Sequence, residues 1–319
     1  MRIGLIDVDA ESRGKVTFPN LPLMKISAWH KAQGDQVGWY LPFNGTYDRV
    51  YMAKVFGDEY TKDYPYQVDA KEIIRGGSGY AISVVDGKEV YDKSLDKNLP
   101  PEIDHIYPDY SLYDITDTAY GFLTKGCPRG CDFCHVKSMQ GRRTYTFARL
   151  SEFWNGQKNI SLLDPNLTAS RDYELHMTDL IASKAYVDFT QGLDIRFLTP
   201  DKIVLLKQCR WKRIHFAWDR PEEDLEKQFR DVSAILKGKN KGLRNKVSAY
   251  VLTNFNSTHE QDLHRIQVLR ECDIQPYVMI YRKETAPHET RQLQRWCNPI
   301  IFWKVPTFDE YKTSIRRET

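Results

Sequence analysis

Gly121-Phe122-Leu123-Thr124-Lys125-Gly126-Cys127-Pro128-Arg129-Gly130-Cys131-Asp132-Phe133-Cys134 is a short β-rich run that ends in three closely spaced thiols. Gly121 to Lys125 reads as a strand, and the cysteines follow at once as C-x-x-x-C-x-x-C. Soft thiolates at this spacing suit an iron-sulfur cluster or zinc. Gly126 and Gly130 let the backbone turn tightly around a bulky group, and Pro128 stiffens the turn. Three ligands leave one metal position open, as a catalytic site does and a closed structural site does not. The competing reading is structural zinc with His135 as fourth ligand, but His135 is adjacent to Cys134 and the two reach one tetrahedral ion poorly.

Outward from this segment the chain alternates β-rich runs with helical periodicity, the pattern of βα units around a parallel sheet. Six strands are expected, at 121–125, 160–163, 187–191, 213–219, 247–255 and 276–281, each followed by a helical segment. Thr199-Pro200 gives an N-cap and a first-turn proline, and Ser257-Thr258-His259-Glu260 has capping-box spacing. Leu225, Phe229, Val232 and Leu236 share one helical face that can lie on a sheet. On the fourth strand Ile214, Phe216 and Trp218 alternate with His215, Ala217 and Asp219, so the two sets face opposite sides of the sheet and the polar one reads as facing a ligand chamber.

The C-x-x-x-C-x-aromatic-C loop after a first strand, with Phe133 at the aromatic position, resembles the radical S-adenosylmethionine enzymes over about residues 119 to 305. That resemblance implies an α/β fold with a partial (β/α)6 TIM-like barrel. It implies a 4Fe-4S cluster on Cys127, Cys131 and Cys134, its fourth iron chelated by S-adenosylmethionine. The implied activity is reductive cleavage of that cofactor to a 5'-deoxyadenosyl radical, which abstracts hydrogen from a substrate. By position at the C-terminal ends of strands, Asp164, Asn166, Gln191, Asp194, Arg196, Asp219, Thr253 and Asn254 resemble the family's cofactor contacts. Asp164 or Asn166 would bind the methionine amine, because the family's glycine-glycine-glutamate is absent. Asp194 and Arg196 would reach the ribose and carboxylate, and Thr253-Asn254 the adenine edge. The resemblance further implies a low-potential electron donor such as a flavodoxin or ferredoxin.

The first 115 residues read as a smaller Rossmann-like α/β domain with its connector, the barrel as 116–305, and 306–319 as a tail. Strands are expected at 3–8, 36–40, 49–56 and 72–74, with a helix at 21–33, and Pro100, Pro101 and Pro108 mark the connector. About residues 1 to 80 resemble a shortened cobalamin-binding domain. Its D-x-H-x-x-G loop is missing and His30 falls inside the helix, so any cobalamin would lack a histidine ligand. Gly76-Gly77-Ser78-Gly79 reads as a turn rather than a phosphate cradle.

With 319 residues, 41% hydrophobic and 28% charged, 19 Tyr and 7 Trp, the chain is a folding sequence and not a disordered one. No apolar window is long enough to span a bilayer, and Asp7 interrupts any secretory run, so a cytosolic protein without a membrane partner is expected. A net charge of +3 does not by itself imply a polyanion partner. Lys237, Lys239, Lys241, Arg244 and Lys246 read as a solvated loop, whereas Arg142-Arg143 beside the cysteines suit an anionic substrate group. Cys209, Cys272 and Cys297 read as buried free thiols. The substrate is open between a small molecule, a peptide and RNA, and methyl or methylthio transfer is one route. The alternative function is a non-catalytic iron-sulfur or zinc module in a protein assembly.

Overall fold

The computed structural model describes residues 1–16, 18–86, 88–237 and 242–318, and divides into two compact units, Met1–Ile160 and Ser161–Thr319. Lys239 and Lys241 of the basic run lie outside the described residues.

In the first unit β1 (Arg2–Asp7) leads into α1 (Val8–Arg13), then α2 (Leu21–Ala32), β2 (Gln36–Trp39), β3 (Tyr47–Ala53) and β4 (Ala70–Gly76). These strands form a parallel sheet ordered β2-β1-β3-β4. Asp7 caps α1 through Ala10 N–H, and Asn20 caps α2 through Leu23 N–H, with Pro22 in the first turn. Ile3 and Leu5 on β1, Leu23 and Ile26 on α2, and Tyr51 on β3 close one core face; Ile6, Val50 and Met52 close the other. Burial on both faces is why β1 reads as a nearly continuous apolar run.

A hairpin follows, β5 (Ile82–Val85) with β6 (Lys88–Tyr91). The connector holds α3 (Pro101–Asp104) and a single 3-10 turn, Tyr110–Tyr113, and no strand among its residues. Gly77 and Gly79 pack onto the backbone after β3, where a β-carbon would stand 2.3 Å from the Lys54 carbonyl oxygen and 2.4 Å from that of Phe56. The Gly-rich run is therefore a turn packed on that backbone.

The unit then carries β7 (Thr118–Gly121), β8 (Thr124–Lys125), α4 (Val136–Met139) and β9 (Tyr145–Thr146). The single strand expected at 121–125 is thus two: β7 ends at Gly121, and β8 turns away to pair antiparallel with β9. The helix expected after this strand is only the four residues of α4, because the cysteine loop occupies its place.

The array continues with β10 (Asn159–Leu162), α5 (Tyr173–Ser183), β11 (Tyr186–Phe189), α6 (Pro200–Gln208), β12 (Trp211–Ala217), α7 (Glu226–Lys237), β13 (Val247–Thr253), α8 (His259–Glu271) and β14 (Gln275–Ile280). The six-stranded parallel sheet is ordered β14-β13-β12-β11-β10-β7, each strand beside its predecessor in the array. The chain is thus mixed α/β with two parallel sheets. Most strands are a residue or two shorter at their C-terminal ends than their apolar runs suggest, because those ends turn into loops.

Thr199 caps α6 with Pro200 as its first residue. The capping box of α8 is Thr258 with Gln261, one residue later than Ser257 with Glu260, because the Thr258 hydroxyl accepts from Gln261 N–H. On β12 Ile214, Phe216 and Trp218 are buried, with Phe216 and Trp218 packed on Phe229 of α7, while His215, Ala217 and Asp219 face the other side and stay partly open. Beyond the sheet, α9 (His288–Cys297), α10 (Ile301–Lys304) and α11 (Phe308–Glu318) gather Trp296, Phe302, Phe308 and Tyr311 into a core, so the segment read as a tail is largely helical. No helix among the described residues is long and apolar enough to cross a membrane.

Candidate functional site

The cysteine loop spans the hairpin formed by β8 and β9. Cys127 N–H donates to the Gly141 carbonyl at 3.2 Å, and Cys134 N–H to the Cys131 carbonyl at 3.1 Å. Gly126 and Gly130 both adopt positive φ, +79° and +59°, where residues with a side chain are strained. A β-carbon on Gly126 would meet the Arg143 carbonyl oxygen, so the two arms of the hairpin close only through glycine. Gln140 Oε1 also accepts from Gly126 N–H at 3.0 Å.

Cys127, Cys131 and Cys134 form no disulfide and are half-buried, as is Phe133. Among the described residues no three His, Cys, Asp or Glu side chains are gathered around a common metal position. The donor set itself fits an iron-sulfur group: three thiols within eight residues of one short loop, turned by two positive-φ glycines. His135, the fourth ligand of the zinc alternative, has its Nε2 3.1 Å from Glu89 Oε2 on β6 and its ring near Tyr91.

Ahead of the loop, Asp104 bridges two lysines. Lys25 Nζ on α2 donates to the Asp104 carboxylate at 3.0 Å, and Lys125 Nζ on β8 at 3.1 Å. Lys125 Nζ also sits 3.5 Å from the centre of the Phe147 ring. Burial pushes the Lys25 ammonium down against the pull of Asp104; the two lysines hold Asp104 below the usual carboxylate range against its own burial. This knot fixes the residue two before Cys127 to α2 and α3.

His30 is buried in the N-terminal unit with both ring nitrogens engaged, Nδ1 at 2.6 Å from Asp35 and Nε2 at 3.0 Å from the Tyr51 hydroxyl. It belongs to the core and offers nothing to a cobalt.

In the second unit the positional candidates fall into two groups. Asn166 is buried after β10, where its Oδ1 accepts from Thr168 Oγ1 and Ala169 N–H and its Nδ2 donates to Asp194 Oδ2 at 3.3 Å. Asp194 accepts from Arg196 Nε at 2.6 Å, and Arg196 Nη1 pairs with Glu223. Hydrogen bonds and ion pairs to these two carboxylates raise the Arg196 pKa despite its burial. Asp219 faces this cluster; burial pushes its carboxyl up to about 6, against the opposing pull of Arg196 and Arg265. Asp164 is buried nearby in sequence, and Gln191 is exposed.

The second group ties β13 to β14. Thr253 is fully buried with Oγ1 donating to the Met279 carbonyl at 3.3 Å, and Asn254, at φ +60°, donates from Nδ2 to the Tyr281 carbonyl at 2.7 Å. Thr253 and Asn254 thus hold strand ends, and Asn166 is a cap as well as a member of the Asp194 cluster.

His215 lies on the partly open face of the sheet, Nδ1 at 2.7 Å from Ser248 Oγ and its ring parallel to Tyr250. Burial pushes its imidazole down, which favours the neutral form. Glu223 and Arg265 escaped the sequence reading. Glu222-Glu223 following β12 was a visible signal for the first. Arg265, which donates to the Trp218 and Leu252 carbonyls and pairs with Asp262, gave none, since nothing local separates it from Arg270, the other arginine of α8.

The first unit thus carries a glycine-turned loop of three thiols, and the second, by itself, a charged Asp194-Arg196-Glu223-Asp219 cluster at strand ends. No family model matches the chain, and no curated protein matches it.

Proposed function

We propose that this chain is a cytosolic radical S-adenosylmethionine enzyme whose parallel βα array is a partial (β/α)6 TIM-like barrel, preceded by a Rossmann-like domain. The observation that carries the proposal is the trio of half-buried thiols, none in a disulfide, on a loop that follows the first strand of the array and turns on Gly126 and Gly130. Cys127, Cys131 and Cys134 would hold a 4Fe-4S cluster. Bound there, that group supplies the electron for reductive cleavage of S-adenosylmethionine to a 5'-deoxyadenosyl radical, the hydrogen-abstracting species.

The protein's own part is binding and orientation. Asp194, with Arg196 clamped between it and Glu223, presents fixed charge and hydrogen-bond capacity of the kind a ribose and an amino-acid carboxylate require. Asp164 and Asn166 are the candidates for an amine. Asp219 can hold or release a proton in the pH range where enzymes work. The Lys25-Asp104-Lys125 knot keeps β8, and with it the cysteine loop, in place.

The test is anaerobic reconstitution with iron and sulfide, then incubation with S-adenosylmethionine and a low-potential reductant. The expected result is 5'-deoxyadenosine by mass spectrometry, absent in Cys131→Ala protein that keeps its circular dichroism. A cluster that forms without any cleavage, even with cell extract added, overturns the enzyme reading in favour of a binding module. Unfolding of Cys131→Ala would do the same for a structural metal.

A further inference from the structure

Residues 125–149 carry six Lys and Arg against the single acid Asp132, in a chain whose whole net charge is +3. Local acids compensate only part of this. Lys125 is held by Asp104, and Lys137 lies 3.5 Å from Asp132. Arg142 and Arg143 are exposed and make no hydrogen bond or ion pair with a described residue.

Their placement is specific. Arg143 lends its backbone carbonyl to the close approach of Gly126, and the Arg142 guanidinium carbon lies 3.2 Å from where a Gly130 β-carbon would be. The absence of that β-carbon lets a planar cation lie over the loop between Cys127 and Cys131. Three residues beyond Arg142, on β9, Tyr145 is 45% exposed. Adjacent unpaired guanidiniums followed by an open aromatic ring are what phosphate pairing and base stacking require of a surface.

We infer that Arg142 and Arg143 seat phosphate groups of the substrate, a nucleotide or single-stranded RNA whose base stacks on Tyr145. This rests on the enzyme reading above for the word substrate, and on the hairpin alone for the binding. An acidic protein surface would need cations as well, but it would gain nothing from the Tyr145 ring.

The experiment is fluorescence anisotropy of a labelled single-stranded oligouridylate with the full chain, at several salt concentrations and without S-adenosylmethionine. The expected result is binding that R142A/R143A weakens about tenfold or more, with a salt slope flatter by about 1.4, or about 0.7 per lost phosphate contact. Y145A is expected to weaken binding about tenfold with the slope unchanged. Displacement by AMP identifies a mononucleotide as the source of the phosphate, and resistance to AMP a polynucleotide; both support the assignment. No binding by the native chain, equal binding by R142A/R143A, or stronger displacement by polyglutamate than by competing RNA overturns it, the last in favour of an acidic protein. Cys131→Ala protein is run alongside. If S-adenosylmethionine cleavage fails while arginine-dependent RNA binding persists, the enzyme reading falls and the phosphate site stands; the reverse result separates them the other way.

Discussion

Gly126 approaches the carbonyl oxygen of Arg143 so closely that a β-carbon built on it would stand 2.2 Å away. No real β-carbon sits at that distance from backbone, and the φ of +79° adds strain of its own. Gly126→Ala should therefore open the β8–β9 hairpin at a cost of at least about 2 kcal/mol. Urea unfolding measures the loss, and iron bound per chain after reconstitution should fall with it. Full iron binding at native stability would show that the cysteine loop does not depend on this closure.

Asp219 makes stability depend on pH in a definite direction. Its carboxyl titrates near 6 in the folded chain against an ordinary 3.8, so the folded state binds the proton more tightly. The contribution is fully present below about pH 4 and is lost as pH rises through about 6. Asp219→Asn, which cannot ionise, should match the native protein near pH 4 and exceed it above pH 7 by at most about 3 kcal/mol. Urea midpoints at those two pH values decide it; an equal difference at both would remove Asp219 as the source.

The Lys25-Asp104-Lys125 knot should be asymmetric under mutation. Asp104→Asn leaves the buried Lys25 ammonium without its carboxylate, and a loss of about 2–4 kcal/mol is expected. Lys25→Met removes the buried charge itself and leaves Asp104 paired to Lys125, so it should cost clearly less. Thermal unfolding of both variants tests the order, and Lys25→Met proving the worse would mean that packing rather than charge sets the knot.

Thiol chemistry should divide the six cysteines into two sets. Cys127, Cys131 and Cys134 are half-buried, whereas Cys209, Cys272 and Cys297 are buried, and burial pushes the Cys209 thiol up to about 12 and that of Cys297 well above its usual range. A thiol-specific chromogenic reagent should therefore react quickly with the three loop thiols of metal-free native protein. The other three should react only on unfolding. Rapid reaction of all six would contradict the packing around α6, α8 and α9.

The alternation of buried Ile214, Phe216 and Trp218 with His215, Ala217 and Asp219 was legible in the chain, as were the cap Thr199 and the thiol loop itself, while the cap of α8 was read one residue early. Each depends on residues within a few positions of one another, and short-range periodicity and spacing carry such information. The split of 121–125 into β7 and β8 was not legible, because β8 leaves the run only to pair with Tyr145–Thr146, some 20 residues on. Nor was the pairing of Arg196 with Glu223, or the burial of Arg265 beneath the Trp218 and Leu252 carbonyls, since an arginine's partner is set by which strand ends meet. The sequence by itself determined the main strands and helices of the two parallel α/β arrays and the thiol loop. Only the tertiary structure decided which charges neutralise one another and which, like Arg142 and Arg143, are left unpaired, because charge pairing is a long-range contact that no local pattern encodes.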